Sequence, residues 1–248
     1  MINIKSAEEI ELIRESGRVA SETLDYLSDM IRPGVTSEQL DQLGHDFILD
    51  HGGVPSTLGY RGYPKSMCIS FNEEVVHGIP DKRRVKEGDI LTIDVTVKKN
   101  GYHGDTARTF TVGQITERAR RLVDTTREAM RIGIEACQAG AYLGDIAAAV
   151  QKHVEENGFS IVRSFVGHGI GRQFHEDPQV AYYGQPGTGH RLKEGMVLTI
   201  EPMVNEGTWE VTVLDDGWTA VTKDGLLSAQ FEHTVAINAN GPDILTLS

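Results

Sequence analysis

One nine-residue segment occurs twice in the chain, and this repeat restricts the possible folds more than any other feature. Residues 86–94 have the sequence KEGDILTID, and residues 193–201 have the sequence KEGMVLTIE. Helix-like stretches precede both copies, and strand-like stretches follow both. Ser6 to Glu9 and Thr36 to Gln39 fit capping boxes that begin the first two helices. We interpret this as an internal duplication with halves of about 1–115 and 116–248. The chain is expected to form a single domain over 1–248, in which the two copies pair about a shared centre.

The first copy leads into a segment that predicts a β-hairpin with two acidic side chains. Ile90 to Val97 is rich in β-branched residues, and Asn100-Gly101 is typical of a tight turn. Asp94 and Asp105 are expected to lie directly opposite each other, with Cβ atoms roughly 4.5–5.5 Å apart. Two facing carboxylates in a partly buried sheet repel and lose solvation, so they either share a proton or bind a cation.

The second copy adds acids in the same kind of environment. Glu201 lies in a predicted apolar strand, Met196 to Met203, at the position that matches Asp94, and Glu232 lies within another predicted strand, Ser228 to Ile237. Ionised acids inside apolar strands are costly unless they are compensated. One shared proton does not account for all four acids, whereas divalent cations do, because carboxylate oxygens suit such ions.

Composition and charge exclude several classes of protein. The chain has 248 residues and a net charge of −12, which argues against binding to nucleic acid. Its two cysteines, Cys68 and Cys137, form no disulfide framework and suit a reducing compartment. There is no signal-peptide pattern and no apolar run approaching the length of a membrane span. These features predict a cytoplasmic protein that does not associate with membranes.

Histidine is the other ligand type that this sequence offers. Three of the nine histidines are favoured as functional residues by their glycine and proline context together with the repeat: His77, His168 and His175. The other six are expected to be solvated or hydrogen-bonded structural side chains: His45, His51, His103, His153, His190 and His233.

Several familiar motifs do not apply. Residues 167–171 (GHGIG) lack the G-x-G-x-x-G spacing, and no helix-forming run follows them. Residues 175–178 (HEDP) begin like a zinc-peptidase helix but contain proline and no second histidine. There is no G-x-S-x-G elbow. Cys68 is a weak alternative as a nucleophile, because nothing local specifies that role.

Four longer segments resemble those of one enzyme family. Residues 59–66 (GYRGYPKS), 76–80 (VHGIP), 167–171 (GHGIG) and 200–203 (IEPM) are similar to the corresponding segments of type I methionine aminopeptidases. These enzymes belong to the pita-bread (creatinase/aminopeptidase) metallopeptidases. The resemblance implies an α+β pita-bread fold, with two pseudo-symmetric halves and a central, curved antiparallel β-sheet flanked by helices.

The resemblance also implies a dinuclear metal site. Five residues match the metal ligands of the family: Asp94, Asp105, His168, Glu201 and Glu232. Asp105 and Glu232 are expected to bridge two divalent ions, which could be Co, Mn, Fe, Ni or Zn. Thr96 shares the strand face of Asp94, so we expect it to support the ligands by hydrogen bonding.

Catalytic and substrate-binding residues follow from the same resemblance. Glu201, His77 and His175 are the expected catalytic residues, with Glu201 transferring the proton of the attacking water. The expected substrate-binding residues are Tyr60, Tyr63, Cys68, His77, Phe174, His175 and Trp218. Thr57 differs from the cysteine of many relatives at one wall of this pocket.

The predicted activity is removal of the N-terminal methionine from nascent proteins and peptides, with a small second residue preferred. A metal-activated water would attack the first peptide bond. The expected partners are N-terminal methionyl peptides and nascent chains, with the enzyme acting as a monomer close to the ribosome. Two alternatives are an X-Pro aminopeptidase or prolidase-like enzyme and a non-catalytic binding protein of the same fold.

Overall fold

The computed structural model describes residues 2–248, which form four α-helices and fifteen short or medium β-strands. The helices are α1 (Ala7–Ser28), α2 (Ser37–Asp50), α3 (Glu117–Glu135) and α4 (Leu143–Glu156). The strands of the first half are β1 (Val54–Pro55), β2 (Cys68–Phe71), β3 (Glu74–Val76), β4 (Ile90–Lys99) and β5 (Tyr102–Thr111). Those of the second half are β6 (Ser160–Ile161), β7 (Gly167–Gly169), β8 (Glu176–Val180), β9 (Val197–Ile200), β10 (Met203–Asn205), β11 (Val211–Val213), β12 (Ala220–Thr222), β13 (Ser228–Gln230), β14 (Glu232–Asn238) and β15 (Gly241–Ile244).

The first two helices begin at the capping boxes that the sequence predicts. Ser6 accepts a hydrogen bond from the backbone N–H of Glu9, whose side chain in turn accepts one from the Ser6 N–H. Thr36 and Gln39 exchange the same pair of hydrogen bonds at the start of α2. These reciprocal bonds satisfy N–H groups that have no partner inside the helix, so each helix starts at a defined residue.

One nine-stranded antiparallel sheet contains strands from both halves of the chain. Its main order is β1-β4-β5-β14-β9-β7-β8, with β2 paired to β4 and β15 paired to β14. The two copies of the repeat end in β4 and β9, and β5 and β14 lie between them. The duplication therefore places equivalent strands on either side of the β5–β14 pair, as the sequence predicted.

The predicted register of the β4–β5 hairpin is wrong. Asp105 lies opposite Thr96, and Asp94 lies opposite Ala107, so the two aspartates are diagonal neighbours on one face. The turn contains only Asn100 and Gly101, both at positive φ (51° and 84°), as in a type I′ turn. We had centred the hairpin one residue earlier, and that choice moves every cross-strand partner by two positions.

Two strands that we predicted as continuous are interrupted. The strand predicted over 196–203 divides into β9 and β10, because Glu201-Pro202 leaves the ladder. The strand predicted over 228–237 divides at Phe231 into β13 and β14, which belong to different sheets. Both interruptions adjoin an acidic residue of interest, Glu201 or Glu232. No strand was predicted from the sequence at the positions of β1, β3, β7, β8 or β15.

The helices pack on the sheet and enclose the core. α1 packs on β4 and β5, and α3 packs on α4 and β13. At Gly104 in β5 an added Cβ would lie 2.3 Å from the backbone nitrogen of Gly17 in α1, so the helix and strand approach closely only because neither carries a side chain there. This close contact adjoins Asp105. No helix within residues 2–248 is sufficiently long and apolar to cross a lipid bilayer.

Candidate metal centre and substrate pocket

All twelve residues that we predicted for the site line one cavity of about 590 Å³. Its floor is formed by the acids and His168, and aromatic side chains form much of its wall. The cavity thus brings together residues from the first half, the second half and the loops that connect the strands.

The four acids come from four consecutive strands of the large sheet. Asp94 lies on β4, Asp105 on β5 and Glu232 on β14, while Glu201 follows the last residue of β9. Ala107 lies directly between Asp94 and Glu232 in the ladder, so a small side chain separates them. The duplication therefore brings two acids from each half of the chain to one centre.

His168 completes this cluster. Its Nε2 atom lies 3.8 Å from Oδ2 of Asp105 and 3.7 Å from Oε1 of Glu201. The imidazole Nδ1 contacts the carbonyl oxygen of Gly169 at 2.9 Å, so Nδ1–H donates there and leaves the Nε2 lone pair directed at the acids. Ligand atoms of Asp105, His168 and Glu232 all lie within 4.8 Å of one another, close enough to bind a single ion.

Burial and mutual repulsion disfavour ionisation of the acids. Burial raises the pKa of Glu232 well above its ordinary value, and the neighbouring charges of Asp105 and Glu201 raise it further. Burial raises the pKa of Asp105 in the same direction, together with the charges of Asp94 and Glu201. Burial also lowers the pKa of His168 to about 4, so this imidazole is neutral near pH 7. Among residues 2–248, no lysine or arginine forms a salt bridge with these four acids.

Hydroxyl groups form hydrogen bonds that orient two of the acids, Asp105 and Glu201. Thr96 Oγ1 donates to Asp105 Oδ1 at 2.7 Å, and Thr199 Oγ1 donates to Glu201 Oε1 at 2.6 Å. The Tyr182 hydroxyl accepts the Glu201 N–H at 2.7 Å and donates to the Thr199 carbonyl at 3.1 Å. Thr96 supports Asp105 rather than Asp94, because the hairpin register differs from the one predicted.

The donor set fits divalent cations. Oε1 of Glu232 is buried and has no hydrogen-bond partner among residues 2–248, which is costly for a carboxylate oxygen. Four carboxylates and one neutral imidazole provide hard oxygen donors and one nitrogen donor. A shared proton would neutralise one acid only, whereas divalent ions compensate the whole cluster.

An aromatic pocket adjoins the acids. The Tyr63 and Trp218 rings meet edge to face at 5.1 Å, and the Tyr63 hydroxyl donates to the Gly78 carbonyl at 2.8 Å. Cys68 lies opposite Asp94 in the sheet. Burial raises the pKa of the Cys68 thiol well above its ordinary value, with the Asp94 charge as a further cause, so this thiol is protonated and unsuited to act as a nucleophile.

His77 and His175 lie at the cavity wall, and neither has an acidic partner within the part of the chain that the structure describes. His77 has a positive φ of 61° and packs edge to face on Phe165 at 5.4 Å. The His175 ring lies 5.2 Å from Tyr60, 4.2 Å from Phe174 and 4.1 Å from His168. Burial lowers the pKa of His77 to about 4 and that of His175 to about 3, with the charge of His168 as a second cause for His175. Both rings are therefore neutral near pH 7 and able to donate one N–H each.

The histidines expected to be structural include several with clear hydrogen bonds. His103 contacts the Ser56 hydroxyl at 2.8 Å, and His233 contacts the Thr246 hydroxyl at 2.8 Å. His45 contacts the Ser66 hydroxyl at 2.7 Å. These contacts agree with the predicted structural role of His103, His233 and His45, whereas Nε2 of His153 is buried and has no hydrogen-bond partner among residues 2–248.

Some cavity residues were not predicted from the sequence. Phe165 packs on His77, and Gln230 donates to Glu201 Oε2 at 3.4 Å. Tyr182 contacts the Glu201 backbone from outside the cavity. Neither Phe165 nor Tyr182 lies in a repeated or motif-like segment. The only available signal was for Gln230, which lies two residues before Glu232.

Comparison with known proteins decides the family. The model of metallopeptidase family M24 matches residues 11–239. The chain belongs to metallopeptidase family M24. Family membership implies a hydrolase that uses divalent metal, in agreement with the predicted class of enzyme.

Individual members of the M24 family differ in how similar they are to this chain in sequence and structure. Methionine aminopeptidase A from Synechocystis sp. is 53% identical over 99% of this chain and 98% of its own length. The crystal structure of methionine aminopeptidase from Thermotoga maritima has a TM-score of 0.99 at 45% identity, and the match covers 100% of both chains. An Xaa-Pro dipeptidase from Bacillus anthracis shares the fold, with a TM-score of 0.79 at 22% identity over 99% of this chain and 62% of its own. The predicted pita-bread architecture is confirmed.

Proposed function

We propose that this M24 peptidase removes the N-terminal methionine from peptides and newly made proteins. One observation carries the proposal. A pocket lined by aromatic rings and one sulfur atom adjoins a buried cluster of acids and a histidine, and both lie in the same cavity. A flexible thioether suits such a pocket, because sulfur packs favourably against aromatic rings. Relatives that carry the name methionine aminopeptidase match the whole chain at about 50% identity, which supports the same conclusion.

The proposed metal ligands are the five predicted residues: Asp94, Asp105, His168, Glu201 and Glu232. We propose that these five residues would hold two divalent ions, and Asp105 and Glu232 lie on the central strands β5 and β14 of the cluster. Bound divalent ions lower the pKa of water and polarise carbonyl groups, which is the chemistry that hydrolysis of a peptide bond needs. Mn²⁺, Fe²⁺ and Co²⁺ suit this donor set best, and Ni²⁺ and Zn²⁺ are compatible with it.

The protein side chains then perform three tasks. Glu201 receives and returns the proton of the attacking water, and its carboxylate is oriented by Thr199 and Gln230 for that purpose. His77 and His175, neutral near pH 7, donate hydrogen bonds to the scissile amide and its carbonyl oxygen. The pocket formed by Tyr60, Tyr63, Cys68, Phe174 and Trp218 binds the methionine side chain.

The whole chain is proposed to act as one catalytic domain, because the cavity needs residues from both halves of the repeat. The preferred substrates are methionyl peptides with a small second residue, and nascent chains are the source of such N-termini. We propose that the enzyme works as a monomer in the cytoplasm, close to the ribosome. An X-Pro peptidase is not favoured, because the similarity of this chain to the Xaa-Pro dipeptidase is limited to the fold.

Peptide hydrolysis tests the specificity. Met-Ala-Ser is expected to release free methionine with added Mn²⁺ or Co²⁺ under anaerobic conditions, while Ala-Pro and Leu-Pro peptides are cleaved at least about 100-fold more slowly. Mass spectrometry of the products measures both reactions. Preferential cleavage of the X-Pro peptides would overturn the proposal in favour of a prolidase-like enzyme.

Substitution of Glu201 and His175 tests the catalytic roles. Glu201→Gln should lower kcat at least about 100-fold with no loss of folded protein, because the amide cannot accept the water's proton. His175→Ala should lower kcat while Mn²⁺ binding, measured by calorimetry, stays within about threefold of the unsubstituted enzyme. A large loss of bound metal in His175→Ala would make this residue a ligand instead.

A further inference from the structure

A buried ion pair outside the metal centre lies directly behind the loop that carries Phe174 and His175. Lys5 Nζ contacts Glu176 Oε2 at 2.7 Å, and the two side chains are only 5% and 6% exposed. Lys5 precedes α1 in the chain, whereas Glu176 begins β8 next to His175. The pair therefore joins the N-terminal segment to the wall of the proposed active site.

Both oxygens of the Glu176 carboxylate are in use. Oε1 accepts the backbone N–H of Gln173 at 3.1 Å, which closes the loop from 173 to 176 on itself. Oε2 accepts from Lys5 Nζ and from the Asn3 side-chain amide at 3.0 Å. A carboxylate with three donors fixes the geometry of the backbone on either side of Phe174 and His175.

Lys5 is itself held in one place. Its backbone N–H donates to the Gly195 carbonyl at 2.7 Å, and Nζ also donates to the Asn3 carbonyl at 3.3 Å. Its Cε atom packs against Gly171, where an added Cβ would come within 2.8 Å. Since Gly171 accepts the backbone N–H of His103 at 2.8 Å, both ends of the loop are attached to fixed parts of the fold.

The His175 ring depends on this loop for its position. Within residues 2–248 the imidazole makes ring contacts with Tyr60, Phe174 and His168 but no hydrogen bond. Stacking alone permits sliding and rotation, because it is weakly directional compared with a hydrogen bond. The backbone from 173 to 176 must supply the remaining restraint.

We propose that Lys5 is a positioning residue for the reaction, acting through Glu176 to fix Phe174 and His175 against the substrate. This inference rests on the proposed function and adds a residue from outside the cavity to it. Removing the lysine would leave the buried Glu176 carboxylate uncompensated, so the carboxylate would move toward water and release the loop. Displacement of a catalytic group by about 1 Å can cost roughly 100-fold in rate.

The test uses Lys5→Met and Glu176→Gln in the full-length, Mn²⁺-loaded enzyme. Lys5→Met removes the charge and keeps most of the side-chain length, whereas Glu176→Gln keeps an acceptor for Gln173. Either variant is expected to lower kcat on Met-Ala-Ser by roughly 10- to 100-fold. If one variant fails to fold, the other supplies the same measurement. Arg14→Met is the matched control: it also removes a paired cation near the N-terminus, but its partner Asp243 lies near the C-terminus.

A double-mutant cycle separates positioning from general destabilisation. In a Phe174→Ala/His175→Ala background, Lys5→Met should change kcat by less than about threefold, because both groups that it positions are already absent. A structural effect would instead lower kcat by the same factor in both backgrounds. Equal factors would overturn the proposal.

Hydrogen exchange gives a measure that does not require turnover. The amides of residues 171–176 should exchange faster in Lys5→Met and Glu176→Gln than in the unsubstituted enzyme or Arg14→Met, while exchange in β4 and β5 stays unchanged. Unchanged exchange at 171–176 would overturn the proposed link between Lys5 and the loop. If the unsubstituted enzyme does not cleave Met-Ala-Ser, the proposed function fails, and the exchange result still decides whether Lys5 orders the loop.

Discussion

The Thr96 hydroxyl donates a 2.7 Å hydrogen bond to Oδ1 of Asp105, the residue directly opposite it in the β4–β5 hairpin. This bond leaves Oδ2 of Asp105 directed toward His168 at 3.8 Å. A threonine outside the predicted ligand set thus decides which oxygen of a central acid is available to an ion.

Thr96→Val should weaken metal binding. Valine keeps the shape and the β-branched character but removes the donor, so Asp105 loses the bond that orients it, and Mn²⁺ affinity is expected to fall about 10- to 100-fold. Isothermal calorimetry measures the change. Thr92→Val is the matched control, since Thr92 lies on the same face of β4 and bonds Thr109 at 2.8 Å rather than an acid. Equal affinities for the two variants would show that Thr96 does not orient a ligand.

Tyr182→Phe should affect both stability and the metal centre. The Tyr182 hydroxyl accepts the Glu201 N–H where β9 leaves the ladder, so its removal leaves a buried N–H unpaired. The free energy of unfolding is expected to fall by about 1–3 kcal/mol. Mn²⁺ affinity should fall about tenfold, because Glu201 loses its backbone anchor.

Tyr102→Phe serves as the control for the Tyr182 substitution. Its hydroxyl donates to Glu9 at 2.7 Å, on α1 and outside the cavity. Denaturant unfolding and calorimetry on both variants give the comparison. Full metal affinity in Tyr182→Phe would show that the hydrogen bond at the strand break does not position Glu201 for metal binding.

The metal-free protein should lose stability between pH 7 and pH 8. Burial raises the pKa of Glu201 to about 8, and burial raises the pKa of Asp105 and Glu232 well above their ordinary values. The folded state therefore binds more protons than the unfolded state in this window, so the stability falls as the pH rises. His168 contributes only a small slope of the opposite sign here, because its lowered pKa of about 4 leaves it neutral in the fold and its unfolded form is largely neutral above pH 7.

Calorimetric melting of chelator-treated protein measures this effect. Tm is expected to be at least about 3 °C lower at pH 8 than at pH 7 without metal. Saturating Mn²⁺ should raise Tm at both values and remove most of the difference, since ions compensate the ionised acids. A metal-free Tm that rises over this range would contradict the electrostatic description of the cluster.

Much of the architecture was predictable because it depends on local chemistry. The capping boxes at Ser6 and Thr36 and the turn residues Asn100-Gly101 act through neighbouring backbone groups, so their signals lie within a few residues. The repeat of 86–94 at 193–201 was the one signal in the sequence that related distant parts of the chain. It predicted that Asp94 and Glu201 lie close to a shared centre.

Other features depend on contacts that a single sequence does not contain. The exact hairpin register depends on which two residues occupy the turn. An error of one residue there predicted Asp94 opposite Asp105, whereas Asp94 lies opposite Ala107 and Asp105 lies opposite Thr96. The break at Glu201 depends on Tyr182, which is distant in sequence and supplies the missing hydrogen bond. Lys5 and Glu176 are separated by most of the chain, so nothing local indicated that they form a buried pair.

Anomalous diffraction from crystals grown with Mn²⁺ tests the central claim most directly. We predict two Mn²⁺ peaks on the cavity floor, each within about 2.0–2.3 Å of ligand atoms from the five proposed residues Asp94, Asp105, His168, Glu201 and Glu232. A single peak, or peaks that do not contact these five residues, would contradict this claim.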